Sequence, residues 1–189
     1  MRVIAGSARR LLLSTLPGED TRPTTDRIKE TLFNMLQPEV PGSRFLDLFG
    51  GSGGIAIEAL SRGASSAVIV EKNLKAARII RENLEHTRLA DKAELLATDA
   101  SAALTRLAGT KCEPFDLVFL DPPYGSGLEE RALQQLRNSG LIHDDTLLIV
   151  ETKIDADPSR FEALGYRIVK IKAYKTNQHI FLQRGNDET

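Results

Sequence analysis

Apolar positions along the chain recur with two different spacings, and each change of spacing marks an element boundary. Residues 1–15 read as extended: Arg2-Val3-Ile4-Ala5, then a Gly6-Ser7 step, then Arg10-Leu11-Leu12-Leu13. That order predicts a hairpin turned at Gly6-Ser7. Pro17-Gly18 is a turn, and Pro23-Thr24-Thr25-Asp26 opens a helix with Thr24 or Thr25 as N-cap and Asp26 at its positive end. Ile28, Leu32, Met35 and Leu36 then form an apolar stripe at helical spacing, stopped by Pro38.

From Ser43 onward the pattern alternates strand and helix. Strands are expected at 44–49, 67–70, 94–97, 115–120 and 147–150, and helices at 54–60, 73–86, 100–107, 128–137 and about 158–164. Two closing strands, 166–171 and 180–182, flank a polar turn containing Thr176-Asn177-Gln178. The fold class is therefore α/β, with a mostly parallel sheet covered on both faces and one antiparallel strand from the final hairpin. In such sheets ligands bind beyond the C-terminal strand ends, at the switch point. That directs attention to residues 49–54, Glu71, Asp99 and residues 121–124.

Composition narrows the classes. A chain of 189 residues with 41% hydrophobic and 27% charged residues can bury a core as one compact domain. Cys112 is the single cysteine, which leaves no internal disulfide, and His86, His143 and His179 lie far apart, so no metal is expected. A reducing, cytoplasmic setting follows, because the Leu11-Leu12-Leu13 run is too short for a signal segment and nothing approaches a membrane span. The net charge of −1 does not advertise a nucleic-acid binder. Both ends are nevertheless basic: Arg2, Arg9 and Arg10 at one, and Arg167, Lys170, Lys172, Lys175 and Arg184 at the other. Such residues either meet phosphate or guard a sheet edge.

Two segments carry chemistry. Asp47-Leu48-Phe49-Gly50-Gly51-Ser52-Gly53-Gly54 joins a strand to a helix, and its glycines let backbone approach a ligand at a positive helix end. Gly51 to Ala56 fits G-x-G-x-x-A, with Glu71 at the next strand end. A carboxylate there can accept two vicinal ribose hydroxyls, whether the ligand is NAD or S-adenosylmethionine. Asp47 leans toward the second, because methionine has a cationic amino group and a pyrophosphate has none. Asp99, before Ala100, either accepts from an adenine amine or caps the following helix.

Asp121-Pro122-Pro123-Tyr124 leaves the fourth predicted strand. Two prolines stiffen this loop and remove N–H donors, so its polar character comes from acceptors. An aromatic amine is a poor nucleophile because its lone pair is delocalised into the ring. Asp121 and the Pro122 carbonyl can accept its two N–H groups and turn the lone pair toward a methyl sulfonium. Tyr124 offers a face on which an extruded base stacks. Hydride transfer has no use for this loop.

On these segments the chain resembles the RsmD-type 16S rRNA guanine-N2 methyltransferases. The resemblance spans residues 1–184 and also rests on Arg2-Val3-Ile4-Ala5-Gly6, Glu58-Ala59-Leu60-Ser61-Arg62-Gly63-Ala64 and Arg22-Pro23-Thr24-Thr25-Asp26-Arg27, the last the most particular. It implies a class I (Rossmann-like) S-adenosylmethionine-dependent methyltransferase fold with seven strands. Residues 1–42 would form a hairpin and helix extension, 43–184 the methyltransferase domain and 185–189 a tail. It further implies a monomer that methylates the N2 amine of guanine 966 in 16S rRNA, on an assembling small ribosomal subunit. The cofactor contacts would be Asp47, Phe49, Gly51, Ser52, Gly53, Glu71, Asp99 and Ala100. Asp121, Pro122, Pro123 and Tyr124 would face the base, and Arg9, Arg10, Arg22 and Arg27 the RNA. The chain departs from the family at Ala8-Arg9-Arg10-Leu11, where Gly-Arg/Lys-Lys-Leu is usual, and at Tyr174-Lys175-Thr176, where a Tyr-Gly turn is usual. Three alternatives stand beside it: a DNA adenine-N6 methyltransferase, an NAD-dependent oxidoreductase and a non-catalytic RNA-binding module.

Overall fold

A computed structural model describes residues 1–16, 26–110 and 112–185. Its seven strands are ordered β3-β2-β1-β4-β5-β7-β6, so the expected α/β class and strand number hold. The chain divides into two compact units, Met1–Asp99 and Ala100–Thr189. Among the described residues, no helix is long and apolar enough to cross a membrane.

In the first unit, β1 (Arg44–Asp47), β2 (Ser66–Val70) and β3 (Ala93–Leu96) pair in parallel, Phe45 opposite Ala67 and Val68 opposite Glu94. Helix α1 spans Asp26–Met35, α2 Gly54–Ser61 and α3 Leu74–Thr87. Every residue of α2 is buried, because its sequence is apolar around most of its circumference. Asn73 caps α3 by accepting from the N–H groups of Lys75 and Ala76. The Thr24 or Thr25 cap expected for α1 lies outside the described residues.

The N-terminal segment pairs as expected, but not as two strands. Val3 N–H donates to the Leu11 carbonyl at 2.9 Å and Leu13 N–H to Met1 at 3.0 Å, around the bridge Arg2↔Leu12. Its remaining polar groups go to α2 instead of a ladder. Ile4 and Ala5 donate to the Glu58 carboxylate at 2.8 and 3.0 Å. Ser7 N–H reaches the Ser61 carbonyl at 2.8 Å, and Ala8 N–H the Ser61 hydroxyl at 3.0 Å. Gly6 has φ +83°, and a Cβ there would stand 1.7 Å from the Ser61 oxygen. Only glycine fits that approach.

The stripe on α1 is rotated from the one expected. Its inward face is Lys29, Leu32 and Phe33, with Leu36 buried just past its end and Ile28 and Met35 half-buried. Lys29 is 0% exposed because Glu58, also 0% exposed, lies 3.5 Å from its Nζ. The Arg2 carbonyl accepts from the same ammonium at 2.5 Å, and Arg62 Nε donates to Glu58 at 2.7 Å. Burial pushes the Lys29 ammonium below its ordinary value, with Glu58 and Asp26 opposing.

In the second unit α4 (Ala100–Gly109), β4 (Phe115–Leu120) and α5 (Leu128–Arg137) lie close to expectation. Strand β5 (Ile142–Lys153) is far longer than the expected 147–150. Its polar start is carried by a register shift between Phe115 and Leu117, where Thr146 Oγ1 donates to the Phe115 carbonyl at 2.6 Å. After the short α6 (Ser159–Glu162), β6 (Tyr166–Ala173) and β7 (Asn177–Arg184) form the closing hairpin. Strand β7 runs antiparallel to both neighbours, β5 and β6. The polar turn is shorter than expected: Asn177 and Gln178 belong to β7 and are buried.

Removing one partner of a buried ion pair leaves the other charge uncompensated, at about 3–5 kcal/mol. Glu58→Ala should lose stability on that scale in urea, followed by circular dichroism, since it also strands the Ile4 and Ala5 N–H groups. A loss below about 1 kcal/mol would show that this carboxylate does not hold the N-terminal segment.

Candidate active site

The first unit contains the glycine-rich turn. Strand β1 ends in Asp47, and the chain then bends through Phe49–Gly53 into α2, with Gly53 at φ 79° as its N-cap. Gly50 packs where a Cβ would meet Ile69 at 2.6 Å, whereas Gly51, at φ +56°, faces open space. Glu71 closes the turn from the end of β2: its carboxylate accepts from Gly51 N–H at 2.9 Å and from Asn73 N–H at 2.7 Å. Each oxygen keeps a further lone pair for a ligand hydroxyl. Asp47, Phe49, Gly51, Ser52, Gly53 and Glu71 are thus brought together. Asp99 is exposed after β3, and Ala100 begins α4.

Asp47 is 1% exposed, and burial raises its carboxyl to about 7. The Phe49 and Ala56 N–H groups pull the other way, and the Glu71 charge adds to the rise. Two carboxylates therefore share a turn in which only backbone dipoles offset desolvation of the first. Such a site suits a ligand that combines a cationic group with ribose hydroxyls.

Asn83, which the sequence did not single out, fixes the turn from behind. It is buried on α3, donates to the Ser52 carbonyl at 2.9 Å and exchanges bonds with Ser14 N–H and C=O at 2.8 and 3.0 Å. Its only signal is an uncharged polar residue in the line of buried positions of an otherwise amphipathic helix.

The second unit carries the prolyl loop at the end of β4. Pro122 is buried, Asp121 and Tyr124 are half-buried and Pro123 is exposed. Tyr124 Oη lies 3.4 Å from Glu151 Oε1, and the Lys153 ammonium stands 6.0 Å above the Tyr124 ring. An acceptor and a flat aromatic face therefore leave one strand end together. Among the described residues, no group of three or more acidic, histidine or cysteine side chains is placed to hold a metal ion.

Comparison with known proteins matches the model of the family described as conserved hypothetical protein 95 over residues 1–183. Ribosomal RNA small subunit methyltransferase D of Escherichia coli strain K12 is 36% identical, over 82% of this chain and 76% of its own length. The protein of that name from Haemophilus influenzae is 35% identical, over 95% of this chain and 94% of its own. The chain belongs to the RsmD family. A solved Escherichia coli structure, yhhF, provisionally described as a methyltransferase, superposes with a TM-score of 0.82 at 32% identity, covering 99% of both chains. The class I methyltransferase fold expected from the sequence is the one observed.

Against the RsmD family, the remaining candidates are the arginines. Arg9 and Arg10 are exposed at the tip of the N-terminal segment, where Arg10 takes φ 73° and Ala8, in place of the usual glycine, is buried. Arg27 is exposed on α1, and Arg22 lies outside the described residues.

The raised Asp47 carboxyl makes stability depend on pH. Between the unfolded value of 3.8 and the folded value of about 7, the native state holds a proton that the unfolded state has lost. Ligand-free stability is therefore eroded as pH rises through that window. Asp47→Asn removes the charge, so the variant should gain on wild type between pH 4 and 8, by on the order of a few kcal/mol. A gap between the two that stays constant across urea titrations at those pH values would show that Asp47 does not titrate there.

Proposed function

We propose that this chain transfers a methyl group from S-adenosylmethionine to the exocyclic N2 amine of guanine 966 in 16S rRNA, on an assembling small ribosomal subunit. Its coarser form, an S-adenosylmethionine-dependent rRNA methyltransferase, is supported by relatives named as small-subunit rRNA methyltransferases over most of the chain. The observation that carries it is Asp121-Pro122-Pro123-Tyr124 at the end of β4 in a chain of this family.

The residues of the glycine turn fit the cofactor. Glu71 would take the ribose hydroxyls, and the desolvated Asp47 the cationic methionine amino group. Gly51 leaves space for a close approach, with Phe49, Ser52 and Gly53 shaping the backbone around it. Asp99 and Ala100 would serve the adenine. S-Adenosylmethionine supplies a methyl group already activated on a sulfonium.

What this chain adds is orientation and electrostatics. Asp121 and the Pro122 carbonyl accept the two N–H groups of the amine, which turns the nitrogen lone pair out of conjugation. The Asp121 carboxylate also stabilises the positive charge that grows on nitrogen. Pro123 holds the loop stiff, and Tyr124 stacks the extruded base, worth about 1–3 kcal/mol. Arg9, Arg10, Arg22 and Arg27 meet RNA phosphates.

Tritiated methyl transfer to small subunits and free rRNA from unmethylated cells, with mapping of the product nucleoside, tests the reading. It should yield N2-methylguanosine at a single position; methylation of duplex DNA and never of rRNA would defeat it. In the same assay Asp121→Ala should lose about 100-fold or more in turnover, with cofactor affinity by calorimetry unchanged. Equal loss of both would contradict the assignment of Asp121 to the base.

Glutamine at Arg9, Arg10, Arg22 and Arg27 together should weaken RNA binding and flatten its salt dependence by about 0.7 in log–log slope for each phosphate contact removed. An unaltered slope would make them ordinary surface arginines.

A further inference from the structure

Behind Tyr124 lies a group of buried polar side chains that no step above uses. Glu151, on β5, is 4% exposed and His179, on β7, is 0% exposed. Glu151 Oε1 accepts from Asn177 Nδ2 at 2.8 Å and meets Tyr124 Oη at 3.4 Å; Oε2 meets His179 Nε2 at 3.0 Å. The other ring nitrogen, Nδ1, lies 3.2 Å from Tyr174 Oη, and the His179 ring packs edge-on against Phe119 and Tyr174.

Proton bookkeeping gives this group a direction. An ionised carboxylate only accepts, so Asn177, His179 Nε2 and Tyr124 must all donate to Glu151. With Nε2–H turned to Glu151, the other ring nitrogen of His179 faces the Tyr174 hydroxyl. Every member then has a partner, and the Glu151 carboxylate is clamped from β7. Burial, reinforced by the charge of Glu151, raises the Tyr174 hydroxyl to about 12, so it remains a donor across the physiological range. A core of this kind is costly to desolvate, and apolar residues would stabilise β5 and β7 at least as well. Two members lie outside the strands, Tyr174 in the turn between β6 and β7 and Tyr124 in the prolyl loop, and the second belongs to the candidate site.

We infer that Glu151 is a positioning residue for the methyl transfer proposed above: clamped by Asn177 and His179, it fixes the Tyr124 ring at the angle on which the target base stacks. The inference rests on the reading of Tyr124 as the base-stacking residue. Glu151 acts through the Tyr124 hydroxyl.

The test is methyl transfer to unmethylated small subunits by wild type, Tyr124→Phe, Glu151→Gln and the double variant, with kcat, the KM for subunits and cofactor affinity measured for each. Tyr124→Phe keeps the stacking ring and removes only the hydroxyl. Both single variants should lose roughly ten-fold in kcat with cofactor affinity unchanged, and the double variant should be no slower than Tyr124→Phe, because Phe removes the donor of the contact whose charged acceptor Gln replaces by a neutral amide. Losses that multiply in the double variant would overturn the inference, and so would a wild-type kcat in Tyr124→Phe. The second result decides the matter even if Glu151→Gln does not fold. A merely structural Glu151 would depress melting temperature without this non-additivity. Wild-type protein that fails to methylate rRNA refutes the function itself, a result distinct from either outcome for Glu151.

Discussion

The buried Glu58 carboxylate is the interaction on which the first unit depends. It accepts from the Ile4 and Ala5 backbone and from Arg62, and it neutralises Lys29 inside the same core. Two extended residues, the arginine that caps α2 and one lysine from α1 are thereby tied to a single group on α2. A buried carboxylate without those donors would be too costly to keep, and those donors without it would be stranded. The segment bearing Arg9 and Arg10 is therefore docked through its backbone, which leaves its side chains in solvent. Met1 is carried with it to the glycine turn, where a Cβ on Gly54 would meet its sulfur at 2.2 Å.

The glycine turn inverts that logic. Its buried acid is incompletely offset: Asp47 is desolvated beside Glu71, and only backbone N–H groups oppose the cost. A satisfied cluster stabilises a fold, whereas an unsatisfied one is stabilised by what binds to it. Asn83 and Glu71 hold the backbone of the turn in place, so the unmet demand concerns charge alone. In the proposed function, a cofactor with a cationic amino group and ribose hydroxyls would meet that demand at Asp47 and Glu71.

The second unit joins the two principles in one strand pair. Strands β5 and β7 bury Glu151, Asn177 and His179 as a fully partnered set, and that set extends to Tyr124. Stiffness at the prolyl loop therefore has two sources, the fixed φ of Pro122 and Pro123 and the side chains behind them. For a reaction that depends on aligning a weak nucleophile, such rigidity is the principal resource a protein can contribute.

Much of this was legible in the residues alone. Strand–helix alternation, the glycine turn with Glu71 twenty residues on, and the Asp-Pro-Pro-Tyr loop depend on local propensity and spacing, which the chain carries in its order. Family membership was readable for the same reason, from short segments whose residues are contiguous. Polar partnership was not. Lys29 sits in the core, β5 begins in Ile142-His143-Asp144-Asp145, and Asn177-Gln178-His179 forms a buried strand, all against the hydrophobic pattern. In each a partner 26 or more residues away supplies the opposite charge or the hydrogen bond: Glu58 for Lys29, the Phe115 carbonyl for Thr146 in β5, Glu151 for Asn177 and His179. Sequence by itself determined the strand–helix alternation of the sheet and which residues stand at its strand ends. Tertiary structure alone decided which polar side chains are buried and what they hold in place, because desolvation is offset between residues that only folding makes neighbours.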